Sequence, residues 1–229
     1  MWYFDIYYLI LVIPAILFSL IAQWKVNSTF RKYSNVRNRR GTTGTDAADA
    51  ILRRNGLYNI RVERVGGQLT DHFDPKKQVI RLSDPVAGVP SVAAVGIAAH
   101  EAGHAVQHAT GYGLIRIRQA VIPVTRVGSF MSLPLILLGM VFSYEPLINV
   151  GILLFGLVFL FQLVTLPVEF NASRRALQTL EGNNMLDPGE LIGVRKVLSA
   201  AAMTYVAALA VSLAQLLRLL IIFGGGRRR

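Results

Sequence analysis

The stretch VGSFMSLPLILLGMVFSYEPLINVGILLFGLVFLFQLVTL, residues 127–166, decides the fold class, because its forty residues carry a single charged side chain, Glu145, followed by Pro146. An α-helix rises ~1.5 Å per residue, so ~20 apolar residues cross the ~30 Å hydrocarbon core of a bilayer. Residues 127–144 and 147–166 each approach that length, and the short turn between them predicts a helical hairpin. The whole chain agrees. Of 229 residues, 53% are hydrophobic and 16% charged, and the mean hydropathy of +0.45 excludes an ordinary soluble domain. Cysteine is absent, which removes disulfides, thiolate metal sites and a Cys nucleophile.

Outward from the hairpin, charge sets the expected topology. The apolar run 4–22 follows no Lys or Arg and precedes Lys25, Arg31, Lys32, Arg37, Arg39 and Arg40. A secretory signal carries its positive charge on the other side, so residues 1–25 read as a retained anchor with its N-terminus outside. Trp2, Tyr3, Phe4 and Trp24 fit interfacial belts. Arg116, Arg118 and Arg126 precede the hairpin, 127–168, and Arg174 and Arg175 follow it, placing both its ends in the cytoplasm. Asp187-Pro188-Gly189-Glu190 announces a last helix, with Asp as N-cap and Pro in the first turn. If it reaches about residue 223 it is roughly 50 Å long, so its start belongs to a cytoplasmic segment, 169–197, and its apolar part, 198–223, enters the bilayer. Four spans put the basic tail 224–229 outside, against the positive-inside rule, and require Arg218 to snorkel or face protein. A shallow or re-entrant last segment is the competing picture.

The cytoplasmic region 26–126 is polar and mixed. Thr45, Asp46 and Asp49, followed by a stop at Asn55-Gly56, predict an amphipathic helix. Two β-type runs, 68–73 and 79–82, flank Asp74-Pro75-Lys76-Lys77 and predict a hairpin or strand pair. Ser91 caps a helix through Ala109, ended by Gly111.

Inside that helix lies HEAGHAVQH, residues 100–108, with three of the chain's four histidines. Residues four apart share a helix face, so His100 and His104 are spaced to grip one ion, and imidazole ligands suit zinc. Glu101 projects beside them, near enough to take a proton from metal-bound water. A glutamate among Ala, Gly, Val and Ile is costly to bury without a partner, which weighs against two ordinary polar histidines on a packed helix. Catalytic zinc wants a third protein ligand and an open position. His108 lies about 12 Å along the helix from His100, too far to join the same ion, and is read as a packing or supporting residue. Glu169, just after Pro167 at the end of the hairpin, is the better candidate, against the alternative of a solvated acid or a partner for Arg174.

HEAGHAVQH, preceded by LTDHFDP and VIRLS and followed by LPVEFNASRRAL and VRKVLSAAAMTYVAALA, resembles the bacterial membrane-bound neutral zinc metallopeptidases of the YugP-like family. More distantly, the arrangement is similar to the heat-shock-type integral-membrane metalloproteases. The resemblance implies a mainly α, polytopic integral membrane protein with a zincin-like, gluzincin-type core and a small β element on the cytoplasmic side. It implies one Zn²⁺ held by His100, His104 and Glu169, with Glu101 as general base. An E-x-x-A-D motif carried over falls on Glu169, Phe170, Asn171 and Ala172, but Ser173 stands where the aspartate would be, so that carboxylate's supporting role is lost or passes to Asn171. The resemblance further implies that the strand with Thr70, Asp71, His72 and Phe73 borders the cleft as an edge for extended substrate. His72 would then donate to the tetrahedral oxyanion, unless Asp71 and Asp74 merely organise the turn and His72 caps it.

The expected activity is hydrolysis of peptide bonds in membrane or membrane-proximal proteins, at the cytoplasmic face of a bacterial plasma membrane. With 24 Lys+Arg against 13 Asp+Glu, a formal charge of +11, anionic lipid headgroups are expected partners and nucleic acid is not. A regulatory membrane protein or a second copy of the chain are further partners left open. Rival readings are a metal-bearing scaffold or adaptor without catalysis, and a basic surface module built on 26–40. A transporter finds little support, since only Arg218 interrupts a span and no intramembrane ion pair is evident in the sequence.

Overall fold

The computed structural model describes residues 5–224. The expected interfacial aromatics Trp2, Tyr3 and Phe4 and the basic tail Arg227, Arg228 and Arg229 lie outside the described residues. The chain divides into two compact units. One takes the chain up to Gln23, Arg116–Pro167 and the chain from Thr204; the other takes Trp24–Ile115 and Val168–Met203.

Among the described residues, four helices are long and apolar enough to cross a membrane: α1 (Tyr8–Ser34, opening on a π-helical turn at Tyr8–Val12), α5 (Gly113–Val141), α6 (Glu145–Gly182) and α7 (Pro188–Gly224). The last is one unbroken helix of 37 residues. In the first unit α5 and α6 pack through glycines. A β-carbon on Gly151 would lie 2.7 Å from Ser132 O, and one on Gly139 would lie 2.9 Å from Ile148 N, so only hydrogen there lets the two backbones approach so closely. Large apolar side chains such as Phe130, Val141 and Leu153 point outward, and only 6% of the most apolar part of α6 is buried within the chain. A surface of this kind marks contact with lipid or with a protein partner. Arg218 is buried and faces protein: its Nε and Nη2 donate to Asp5 Oδ2 at 2.8 and 2.6 Å, and its guanidinium stands 5.1 Å from the Tyr8 ring centroid. The ion pair that no local sequence pattern discloses is therefore present.

The second unit holds the sheet. Helix α2 (Gly44–Arg54) begins two residues earlier than a cap at Thr45 predicts, because Thr43 forms the cap: Thr43 Oγ1 accepts from Asp46 N while the Asp46 carboxylate accepts from Thr43 N. Thr45 instead donates to Ala87 O at 2.9 Å, in the short helix α3 (Asp84–Ala87), which was not expected. The expected strand pair is a three-stranded sheet in the order β1-β3-β2. Strand β1 (Arg61–Val65) pairs in parallel with β3 (Val79–Ser83), which pairs antiparallel with β2 (His72–Asp74). Residues 68–71 do not join the strand, since Gly67 and Leu69 take positive φ of 100° and 56° and turn the backbone. Helix α4 (Val92–Ala109) is capped as expected, with Ser91 accepting from Ala94 N. It crosses the centre of this unit, packing Val92, Ala98, Ala99 and Ala102 against Ile51, Leu52, Ile80, Leu82 and Leu180.

Candidate metal centre

The Ala-rich face of α4 is what lets this site form. A β-carbon on Gly103, inside HEAGH, would sit 2.8 Å from Ala172 O, so glycine alone allows α4 to press against α6 at this level. That approach carries Glu169 under the two imidazoles. His100 Nε2 lies 3.2 Å and His104 Nε2 3.4 Å from the same oxygen, Glu169 Oε2. The rings stand 4.7 Å apart at an interplanar angle of 82°, and the three candidate ligand atoms all fall within 4.8 Å of one another.

The atoms behind the ligands decide what the front of the site presents. Arg175 Nε, a donor only, gives a hydrogen bond to Asn171 Oδ1 at 2.8 Å. Val168 O is an acceptor only. Gln107 Nε2 donates to both Asn171 Oδ1 and Val168 O at 2.9 Å, which turns its Oε1 to His104 Nδ1 at 3.0 Å. The network thus assigns the proton of His104 to Nδ1. A neutral His104 turns a lone pair, not a proton, towards Glu169 Oε2, an arrangement that repels unless a cation lies between. On the other ring, Ser173 Oγ lies 3.2 Å from His100 Nδ1, again on the side away from Glu169.

This donor set fits zinc. Tetrahedral bonds of ~2.0–2.1 Å to nitrogen and oxygen put ligand atoms about 3.3 Å apart, close to the observed 3.2 and 3.4 Å. Two imidazoles and one carboxylate leave a fourth position for solvent or substrate. Glu101, one residue on from His100, is buried. Burial raises its carboxyl to about 7, the charges of Glu169 and Asp71 adding to the rise and those of His100 and His72 opposing it. A carboxyl so poised both takes and returns a proton near neutral pH.

The remaining sequence-predicted residues stand around this cluster rather than in it. Asn171 belongs to the chain of bonds behind His104, and Ser173 reaches His100 directly, so the support expected from one carboxylate is divided between two neutral side chains. His108 packs edge-on to Phe73 with centroids 5.9 Å apart. Asp71 accepts from Ser83 N at 2.7 Å and from Ser83 Oγ, joining the residue before β2 to the end of β3. His72 is exposed; its Nδ1 lies 2.8 Å from Thr70 O and its Nε2 3.3 Å from Arg81 Nη1, so in this rotamer its N–H goes to backbone. Asp74, held by the backbone N–H groups of Lys77 and Lys76 and by Arg81, stays below the usual carboxylate range. Sequence reasoning missed Gln107 and the part played by Arg175, although Gln107 stands three residues from His104 and Arg175 four from Asn171, the spacings at which helical side chains meet.

The profile of a family described as "Putative neutral zinc metallopeptidase" matches residues 8–224. The chain is similar to "Putative membrane protease YugP" of Bacillus subtilis (strain 168), 48% identical over 220 residues that cover 96% of this chain and 98% of that one. No solved structure matches. With the profile spanning both units and the paired histidines, adjacent glutamate and remote carboxylate all in place, this chain belongs to that neutral zinc metallopeptidase family.

Proposed function

We propose that the chain is a membrane-embedded, zinc-dependent endopeptidase that hydrolyses peptide bonds of membrane or membrane-proximal proteins. The observation that carries this reading is the convergence of His100, His104 and Glu169, with Glu101 beside it. Zinc held there would supply a Lewis acid that polarises a peptide carbonyl and acidifies water. The residues of the chain do the rest. Gln107 holds the His104 ring with its unprotonated nitrogen turned inward, and Ser173 meets His100 on the side away from Glu169, so the ligands need little reorganisation. Glu101 accepts the proton of the attacking water and returns it to the leaving amine. Strand β2 has one edge unpaired in the sheet, and an extended peptide would add there by backbone hydrogen bonds. For His72 to serve as oxyanion donor its ring must first release Thr70 O.

Four apolar helices and the basic residues around Lys25–Arg40, Arg116 and Arg174 support a multi-pass protein of the bacterial plasma membrane with its site on the cytoplasmic side. The burial of Arg218 against Asp5 supports a last helix that spans, because the arginine then needs no snorkelling. Glu101→Gln is the decisive test. Proteolysis of a membrane-protein substrate in vesicles should fall at least ~10³-fold while zinc content and thermal midpoint stay near wild type. A variant that keeps cleaving would end the enzyme reading. An intact partner-dependent phenotype without cleavage would favour a metal-bearing scaffold.

A further inference from the structure

On α1, Lys25, Ser28 and Lys32 recur at i, i+3 and i+7, which puts them on one helix face. On α7, Ser199 stands four residues after Arg195 and three after Lys196, so it neighbours both on the helix surface. All six line one groove of about 600 Å³ within the second unit, a volume in the range of small-ligand sites. No carboxylate is among its lining residues, so four cations share a concave surface with no acid to neutralise them. Like charges gathered this way repel, and the arrangement is favourable only when an anion is present. Thr29 and Tyr33 add two more hydroxyls, the kind of donor that completes phosphate recognition.

The groove is built rather than accidental. A β-carbon on Gly193 would meet the Tyr33 ring at 2.8 Å, so glycine lets α7 seat on α1 at the groove's end. The Glu190 carboxylate accepts from Arg39 N and from Asp187 N, both at 2.8 Å, tying the start of α7 to the segment after α1. The polarity also runs in one direction. Along α7 the lining passes from Arg195 and Lys196 through Ser199 to Ala200 and Met203, inside the apolar run; along α1 Lys25 stands three residues after the apolar run that ends with Ala22. Cation, then hydroxyl, then methyl and thioether is the order of a phospholipid read from headgroup to chain.

We infer that this groove is a binding site for the phosphate headgroup of an anionic bilayer lipid, separate from the metal centre. Lys25, Lys32, Arg195 and Lys196 pair with the phosphate and Ser28 and Ser199 donate hydrogen bonds to it. The full chain, reconstituted in phosphatidylcholine vesicles with or without phosphatidylglycerol, tests this by its thermal unfolding midpoint. Phosphatidylglycerol should raise the midpoint of the wild type and of the control K32-distant variant R53E/R54E, which reverses equal charge on α2. It should raise that of K32E/K196E by less than half as much. If the double reversal does not fold, the single neutralisations K25Q and K196Q should each reduce the shift by a smaller step. Equal shifts in groove and control variants would overturn the site. A shift of the same size from inorganic phosphate in plain phosphatidylcholine would overturn the lipid and assign the groove to a soluble phosphate.

Discussion

The metal centre and the basic groove lie in the same unit and are organised in opposite ways. Behind each imidazole stands a named partner, Gln107 or Ser173, and behind Gln107 stand Val168, Asn171 and Arg175. The four cations of the groove have no such chain of hydrogen bonds behind them; Lys25, Lys32, Arg195 and Lys196 are exposed on flexible stems, and Lys32 Nζ stands 5.7 Å from the Tyr33 ring centroid. The difference follows from the ligands. A divalent ion with ~2 Å bonds demands donors fixed to tenths of an ångström, whereas a headgroup several ångströms wide is held by charge that adjusts to it. Rigid support is spent where a misplaced atom abolishes binding.

Variants that strip or loosen one site while sparing the other sharpen this contrast. The largest effect belongs to Glu169→Ala, which removes one of three ligands: zinc per purified chain should drop from about one to near zero, with loss of proteolysis, and retention of a full equivalent would exclude Glu169 from the site. Gly103→Ala comes next. The added methyl must displace Ala172 O from 2.8 Å, so α4 and α6 part, at a cost of about 1–3 kcal/mol in stability and with weakened metal binding. Both are measured by denaturation and metal titration. Gln107→Leu keeps the volume but removes the acceptor for His104 Nδ1; zinc affinity should fall ~10–100-fold at nearly unchanged stability of the fold, and an unaltered affinity would show that the ring needs no such orientation. The smallest effect is expected from K32E/K196E on zinc affinity, which should stay within about twofold of wild type because neither residue reaches the ligands.

Much of this was legible in the sequence because it depends on local rules. Ser91 before an Ala-rich helix, Asp187-Pro188 before another, and two histidines four apart each state their structure within a few residues. Glu169 was accessible by elimination, since few acids were available beside an apolar span. Strand β1 is hidden because RVERV holds only two apolar residues, Val62 and Val65, whose spacing of three breaks the period-two pattern of a strand, and its pairing partner β3 lies eighteen residues ahead, Arg61 meeting Val79. Thr43 and Thr45 compete for the cap of α2, and only the hydrogen bond of Thr45 to Ala87 O, remote in sequence, decides between them. The bonds behind His104 required α6 to arrive beside α4, an event encoded at Gly103 rather than in any motif of Gln107.

The bond between Arg218 and Asp5 joins positions 213 apart, one just before α1 and the other in α7. An arginine in a stretch as oily as that of α7 disfavours its release into lipid, by an estimated ~2.5–3.5 kcal/mol on insertion scales, until a counter-ion is at hand. The carboxylate of Asp5 is that counter-ion, so the opening and closing helices are coupled through one bond: removing either partner leaves the other charge stranded among apolar side chains.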